Sequence, residues 1–381
     1  MEISSRTSVA ARCIAIIALL AGHVAAALGA TEGSQPIGPD RAALQKSVDR
    51  AVEFLDRAQA ADGSYSSDAG PGITAIVVAA LLRSGRDADD PHVSRSLAYL
   101  DGFIHEDGGI YAPGSRYQNY ETSLAILAYH EANSDGRYDD RLKKAEAFVK
   151  RIQWDGDEGH DESSTSYGGA GYGSHSRPDL SNTSFLIDAL HAIGTPADDE
   201  ALQKALVFVS RCQNLESQYN TTEFASKIDD GGFYYTIAAG GSSQAGTTPD
   251  GGLRSYGSMT YAGLKSMIYC GVGPEDPRIQ AATKWISQHY TLAENPGLGA
   301  EGTFYYLHTF AKTLDTVGSD QFVDASGTSH DWRRELAEHL FDVQRDDGSW
   351  VNSNERWLEG DPNLVTAYSL LALAYCEPSA N

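Results

Sequence analysis

Three carboxylates and one histidine, Glu121, Asp179, Asp361 and His308, stand near equivalent points of a repeating chain. Two carboxylates facing each other across a site can do acid/base work on a sugar, so these four are the candidate catalytic groups. Asp179 equally suits a helix cap, as do Asn182 and Asn363, and His308 suits a buried, hydrogen-bonded place. Six residues before a recurring threonine stand Arg116, Arg177 and Arg254. Three guanidiniums on one rim, backed by helix N-termini, suit a phosphate, sulfate or carboxylate; each also has a nearby carboxylate, such as Glu121, Asp179 or Asp250, with which to pair. Tyr120, Tyr256, Tyr306 and Asn182 fall on the same rim, and Trp154, Tyr172 and His175 come from long loops beside it. They complete the candidate ligand-binding set. No Cys-x-x-Cys or His-x3-5-His spacing offers a zinc site, and Asp155-Gly156-Asp157-Glu158-Gly159 lacks the twelve-residue calcium spacing. Neither a metal nor a cofactor is expected.

The elements that would position these groups repeat. Thr74, Thr122, Thr183, Thr260 and Thr366 each precede by eleven residues a terminating position, Gly85, Asn133, Gly194, Gly271 or Glu377. Glycine and asparagine tolerate the left-handed cap that ends a helix, so each segment predicts a helix of about three turns. Runs such as Ile76-Val77-Val78-Ala79-Ala80-Leu81-Leu82 are apolar around most of the circumference, which predicts burial on more than one side. Between them lie amphipathic segments with one apolar stripe, as in Leu44, Val48, Val52 and Leu55. A less regular unit pairs Ile279 to His289 with Phe304 to Val317. Six outer-plus-inner pairs, starting near residues 42, 92, 141, 201, 279 and 331, predict an all-α fold, an α6/α6 toroid over residues 42–378. Insertions near 155–177 and 214–255 are long enough to be lids or ligand loops.

A loop signature joins each outer helix to its inner partner. Gln344-Arg345-Asp346-Asp347-Gly348-Ser349-Trp350 is the fullest copy; Gln59 to Tyr65, His105 to Tyr111 and Asp229 to Tyr234 are variants. This signature resembles the repeat of squalene-hopene cyclases and of protein prenyltransferase β subunits, of the terpenoid cyclase and prenyltransferase superfamily. The fragments Pro178 to Thr183 and Tyr256 to Leu264 carry the resemblance further. It implies a hydrophobic, isoprenoid-like ligand in an aromatic-rimmed central cavity. Cyclases of this kind would need an Asp-x-Asp-Asp acid at the head of an inner helix. Asp87-Ala88-Asp89-Asp90 lies instead in a link after Gly85, where Asp89, Asp90 and Pro91 suit the first turn of the next outer helix. Of the prenyltransferases' zinc ligands, the His segment is loosely resembled by Tyr306-Leu307-His308-Thr309, but no Asp-x-Cys stands at any inner-helix head.

Composition narrows the classes further. With 52 acidic against 29 basic residues and a net charge of -23, the chain is a poor partner for nucleic acid or anionic lipid. Residues 1–30 carry Arg6 and Arg12, then an apolar run from Cys13 to Ala21, then small residues, the pattern of a secretory signal peptide. The run is about half the roughly 20 residues that span a bilayer, so no stable membrane span is expected. Residues 31–41 read as a flexible lead-in, and the mature chain as periplasmic or extracellular. Two rivals accompany the hydrophobic-ligand reading: a secreted carbohydrate-active hydrolase or lyase, and a scaffold that binds protein segments without catalysis.

Overall fold

A computed structural model describes residues 37–174 and 176–377. The expected signal peptide, most of the lead-in and His175 lie outside the described residues. In chain order the helices are α1 (Arg41–Ala58), α2 (Pro71–Arg83), α3 (Pro91–Asp101), α4 (Gln118–Glu131), α5 (Asp139–Arg151), α6 (Leu180–Ala192), α7 (Glu200–Arg211) and the single turn α8 (Ala225–Ile228). Then come α9 (Gly257–Tyr269), α10 (Pro277–Gln288), α11 (Thr303–Val317), α12 (Trp332–Val343) and α13 (Pro362–Ala374), with a hairpin of β1 (Phe322–Val323) and β2 (Ser329–His330) before α12. The described protein is mostly helical. No helix among the described residues is long and apolar enough to cross a membrane.

Local chemistry explains where the helices start. Asp40, Asp90, Asp199, Asp276 and Asp331 cap α1, α3, α7, α10 and α12, each carboxylate accepting a backbone N–H of the first turn. Part of the acidic excess is therefore spent on starting the amphipathic helices. Asp90, the last residue of the Asp-x-Asp-Asp segment, is one of these caps, with Pro91 in the first turn and Arg86 paired to it.

The apolar helices touch in a closed cycle, α2 to α4, α6, α9, α11, α13 and back to α2. α2, α6, α9 and α13 are buried over nearly their whole length, as in the unbroken run Pro71 to Leu81 of α2, and α4 and α11 over more than half of theirs. The amphipathic helices α1, α3, α5, α7, α10 and α12 pack outside them by one stripe each.

The connecting loops stitch one pair to the next. Gln59, Gln153, Gln213 and Gln344 each donate a side-chain N–H to the carbonyl of a loop glycine, Gly63, Gly168, Gly231 or Gly348. The same amides also reach the next outer helix, at His92, Ala201, Arg278 and Ser47, over 2.7, 2.9, 2.9 and 3.0 Å. The last bond joins the end of α12 to α1. Gly348 has φ +92° and lies so close to that helix that a Cβ would sit 2.2 Å from the Arg50 carbonyl oxygen; only glycine fits both conditions. The recurring threonine completes the joint. The hydroxyls of Thr74, Thr122, Thr183, Thr260 and Thr366 accept the N–H of Tyr65, Ile110, Ala170, Phe233 and Trp350 at 2.9 to 3.2 Å.

In the second loop the glycine that meets the next helix is Gly108, with φ +91° against the Lys144 carbonyl. One sequence expectation changes here. Residues 155–177, read as an insertion beside the rim, contain the third copy of the joint, Gln153 with Gly168. The residues between loop outward, where Lys204 pairs with Asp155 and Arg211 donates to the Glu162 and Ser164 carbonyls.

Candidate functional site

The heads of the inner helices gather the predicted carboxylates but give each a structural task. Asp179 caps α6: its oxygens accept the Asn182 backbone N–H at 2.9 Å and the Asn182 side-chain amide at 2.8 Å. Burial pushes this carboxyl up to about 6, against the pull of Asn182, Tyr235 and Arg177. Asp361 caps α13 by accepting from Asn363 and Leu364. Glu121, also buried and raised by burial, accepts the Ala112 N–H at 2.9 Å. A fourth carboxylate, Glu359, went unnoticed in the sequence; it is buried and receives the Tyr305 N–H at 2.7 Å, closing the head of α11. The α6 head reads Asp179-Leu180-Ser181-Asn182. Relative to the expected Asp-x-Asp-Asp, serine and asparagine replace the second and third acids, and the Ser181 hydroxyl meets the Tyr305 hydroxyl at 3.1 Å.

From this rim a ladder of rings descends along the inner helices. Tyr117, exposed, meets Tyr172 edge-on at 5.2 Å between centroids, and Tyr172 meets Tyr120 at 6.2 Å. Tyr120 leads to Phe185 at 5.2 Å, Phe185 to Tyr305 at 6.1 Å, Tyr305 to Tyr368 at 6.0 Å and Tyr368 to His308 at 5.7 Å. Such spacings are those of interacting aromatic pairs. Tyr120, Tyr305 and His308 remain only half-buried, whereas Phe185 and Tyr368 between them are buried.

At the foot of the ladder the lining turns ionic. Asp188 of α6 pairs with Lys265 of α9 and, at 2.9 Å, with Lys312 of α11. Burial alone would raise the Asp188 carboxyl, but the two ammonium groups outweigh it and hold it below the ordinary range. Burial and the neighbouring lysines drive His308 down to about 3, which leaves it neutral, and its Nδ1 has no partner among the described residues. Ser184, Phe185, Tyr305 and Thr309 complete a cavity of about 10 Å³, room for roughly one water.

The structure thus joins Tyr120, Tyr172 and His308 to one axis and leaves other candidates off it. Tyr306 is a correction: its hydroxyl donates to the Thr291 carbonyl at 2.7 Å and its ring packs against Tyr261 and Phe310, while its neighbour Tyr305 faces the axis. Trp154 packs against His160 in the outward loop, not on the ladder. Tyr256 is buried at the head of α9, and Asn182 serves Asp179. Arg116, Arg177 and Arg254 are exposed and form no ion pair among the described residues. Arg177 lies over the Tyr235 ring at 5.5 Å and donates to Ser242, and Arg254 donates to the Thr247 carbonyl. The local carboxylate pairing open to them is not made.

Asp188, Lys265 and Lys312 were overlooked, yet the sequence carried their signal. A charged residue inside a helix that reads as apolar on every side has no solvent to face and must have a buried partner. Asp188 and Lys265 each stand five residues past their repeat threonines, Thr183 and Thr260, so one register places them at one depth.

Comparison with known proteins bears out the terpenoid cyclase resemblance. The squalene-hopene cyclase C-terminal domain family matches residues 67–237. The type II terpene cyclase MstE from Scytonema is 16% identical, with a TM-score of 0.52 over 88% of this chain and 98% of that one. A variant of that enzyme, in complex with geranylgeranyl dihydroxybenzoate, is 14% identical, with a TM-score of 0.50 over 88% and 98%. A family 76 glycoside hydrolase from a bovine Bacteroides thetaiotaomicron strain gives 0.54 at 11% identity over 87% and 78%, and a polysaccharide lyase 0.51 at 10% over 87% and 96%. No curated protein matches this chain. A fold shared by a cyclase, a hydrolase and a lyase sets no reaction.

Proposed function

We infer that the chain is an exported α6/α6 toroid that binds a hydrophobic, isoprenoid-like ligand along its axis without initiating cyclisation. The ladder of rings from Tyr117 to His308 carries this reading, since a run of aromatic rings mostly in edge-on and tilted contact offers apolar surface suited to an extended apolar chain. The complex of the Scytonema enzyme with geranylgeranyl dihydroxybenzoate supports the ligand class. Protonating an alkene requires a strong acid held neutral in apolar surroundings. Here the axial carboxylate, Asp188, is kept ionised by two lysines, and the α6 head offers the hydroxyl of Ser181. Entry of a ligand requires the rungs to move apart, because the space at their foot holds about 10 Å³.

A carbohydrate reading draws on a different observation. The Asp179 carboxyl, at about 6, is tuned near neutrality as an acid/base group on a sugar would be. One experiment separates the two: native mass spectrometry of the purified protein with extraction of bound lipid, followed by titration with a geranylgeranyl amphiphile and with soluble oligosaccharides. The inference expects retained or titrated prenyl lipid, and a loss of affinity of at least about tenfold in Tyr305→Ala, the cost of about 1.4 kcal/mol of lost contact. Oligosaccharide binding that depends on Asp179, with no lipid bound, overturns it.

A further inference from the structure

Three charges at one depth of the inner ring do not balance. Asp188 supplies one carboxylate to two ammonium groups, Lys265 and Lys312, and all three are held inside the ring. The remaining ionisable neighbours, His308, His191, Tyr269, Tyr305, Tyr375 and Arg83, include no second carboxylate. His308 is neutral, and His191, stacked on the Tyr269 ring at 3.7 Å, is lowered by burial. Tyr269 lies beneath both lysines, at 5.6 and 6.0 Å, with its phenol raised by burial and therefore neutral. Arg83, at the end of α2, is already paired with Glu131. A surplus positive charge out of water is costly unless a counter-charge reaches it. Burial, with Lys312 adding to it, already pulls Lys265 down to about 8, the other route by which the surplus is relieved.

We propose that Lys265 and Lys312 form a buried site for a single halide ion, completed by the Ser184 hydroxyl and the unpartnered His308. The cavity bordered by these side chains, about 10 Å³, holds roughly one water-sized body, the place the ion would take. The Ser184 hydroxyl accepts from Lys265 at 3.2 Å and keeps its hydrogen to donate to an anion, whereas the Thr309 hydroxyl donates to the Tyr305 carbonyl at 2.8 Å; the neutral imidazole places its N–H on whichever ring nitrogen faces the ion. Asp188 borders the same cavity and repels the ion, but its two oxygens are engaged with the two lysines, which leaves a net positive charge among the lining groups. The site does not depend on the ring ladder holding a lipid. It concerns a free inorganic ion at the foot of the axis, and it differs from the exposed arginines of the rim in being shielded from salt.

Bromide is the probe. Crystals of the wild-type protein grown with sodium bromide, measured at the bromine absorption edge, are expected to show an anomalous peak between Lys265 and Lys312. In solution, replacing sodium gluconate by sodium bromide at constant ionic strength and pH 7 is expected to raise Tm by roughly 2 °C at tenfold excess over the dissociation constant. Lys265→Met, which leaves Asp188 and Lys312 as a balanced pair, is expected to lose that rise while keeping its helical circular dichroism. An edge measurement with no peak in the cavity overturns the site, as does a bromide rise that persists unchanged in Lys265→Met. If Lys265→Met does not fold, the wild-type anomalous map decides alone.

Discussion

The belt of joints between the two layers of helices and the axis inside them are built from the same repeats, but they obey opposite rules. In the belt one set of bonds recurs: threonine hydroxyl to loop N–H in five pairs, and glutamine amide to loop glycine and next helix in four. On the axis one register position changes from helix to helix. Five residues past the threonine stand Ala79, Leu127, Asp188, Lys265 and Leu371. What every pair needs in order to dock on the next is repeated; what the molecule needs once, at one place, departs from the repeat.

The largest effect should come from the axis. Asp188→Asn leaves two ammonium groups without a counter-charge and is expected to cost about 3–5 kcal/mol at pH 7, read by urea unfolding. The pH dependence has a definite sign. Burial raises the Asp188 carboxyl, but Lys265 and Lys312 outweigh it, so its folded pKa lies below the ordinary carboxylate value. Its contribution is therefore complete above about pH 4 and is lost as pH falls below that. Wild type and variant should converge in acid. A loss under about 1 kcal/mol at pH 7 would mean that the lysines simply shed their protons, and the axis would then be no more specialised than the belt.

Next come the belt glycines. Gly168 has φ +78°, and a Cβ there would lie 1.8 Å from the Lys204 carbonyl oxygen; Gly85 has φ +93° with nothing within 4 Å. Gly168→Ala should cost on the order of 3 kcal/mol or more, strain and backbone clash together, while Gly85→Ala should cost about 1–2 kcal/mol from strain alone. Equal losses in thermal melts of the two variants would show that close approach to the next helix is not what selects glycine in the belt.

The belt was legible in the sequence and the axis was not, for the same physical reason. Thr74, Thr122, Thr183, Thr260 and Thr366 stand out because each makes the same bond, so counting between them located five pairs of helices and left the irregular sixth, α10 with α11, between them; the left-handed position expected after each inner helix appears at Gly85, Gly194 and Gly271 but not at Asn133. Even there, the third joint hid behind the long excursion between Gln153 and Gly168, since loop length disguises a conserved geometry. Axis residues make bonds that occur once. Tyr305 and Tyr306 are adjacent in sequence, and only the helical phase sends one to the ladder and the other to Thr291. Asp179, Asp361 and Glu121 drew notice as acids at helix heads, where capping and catalysis call for the same residue type. The lysines and Asp188 were readable only from their apolar surroundings, since a charge inside an all-apolar helix needs a buried partner.

The smallest effect tests how the repeats add. Thr260→Val removes the acceptor for the Phe233 N–H at 3.0 Å and the donor to the Tyr256 carbonyl at 2.9 Å, keeping the side-chain volume. One buried N–H left unpaired should cost about 1–2 kcal/mol in urea unfolding. Thr74→Val makes the equivalent change in the first pair, where the hydroxyl accepts from Tyr65. If each joint holds only its own loop, the double variant should lose the sum of the two within about 0.5 kcal/mol. A closed cycle permits another result. Because α13 packs back on α2 and Gln344 ties α12 to α1, loosening one joint can relax the others around the ring. A double loss clearly larger than the sum would show that the belt acts as one hoop. The contrast with the axis would then lie in chemistry alone, since both regions would answer as units.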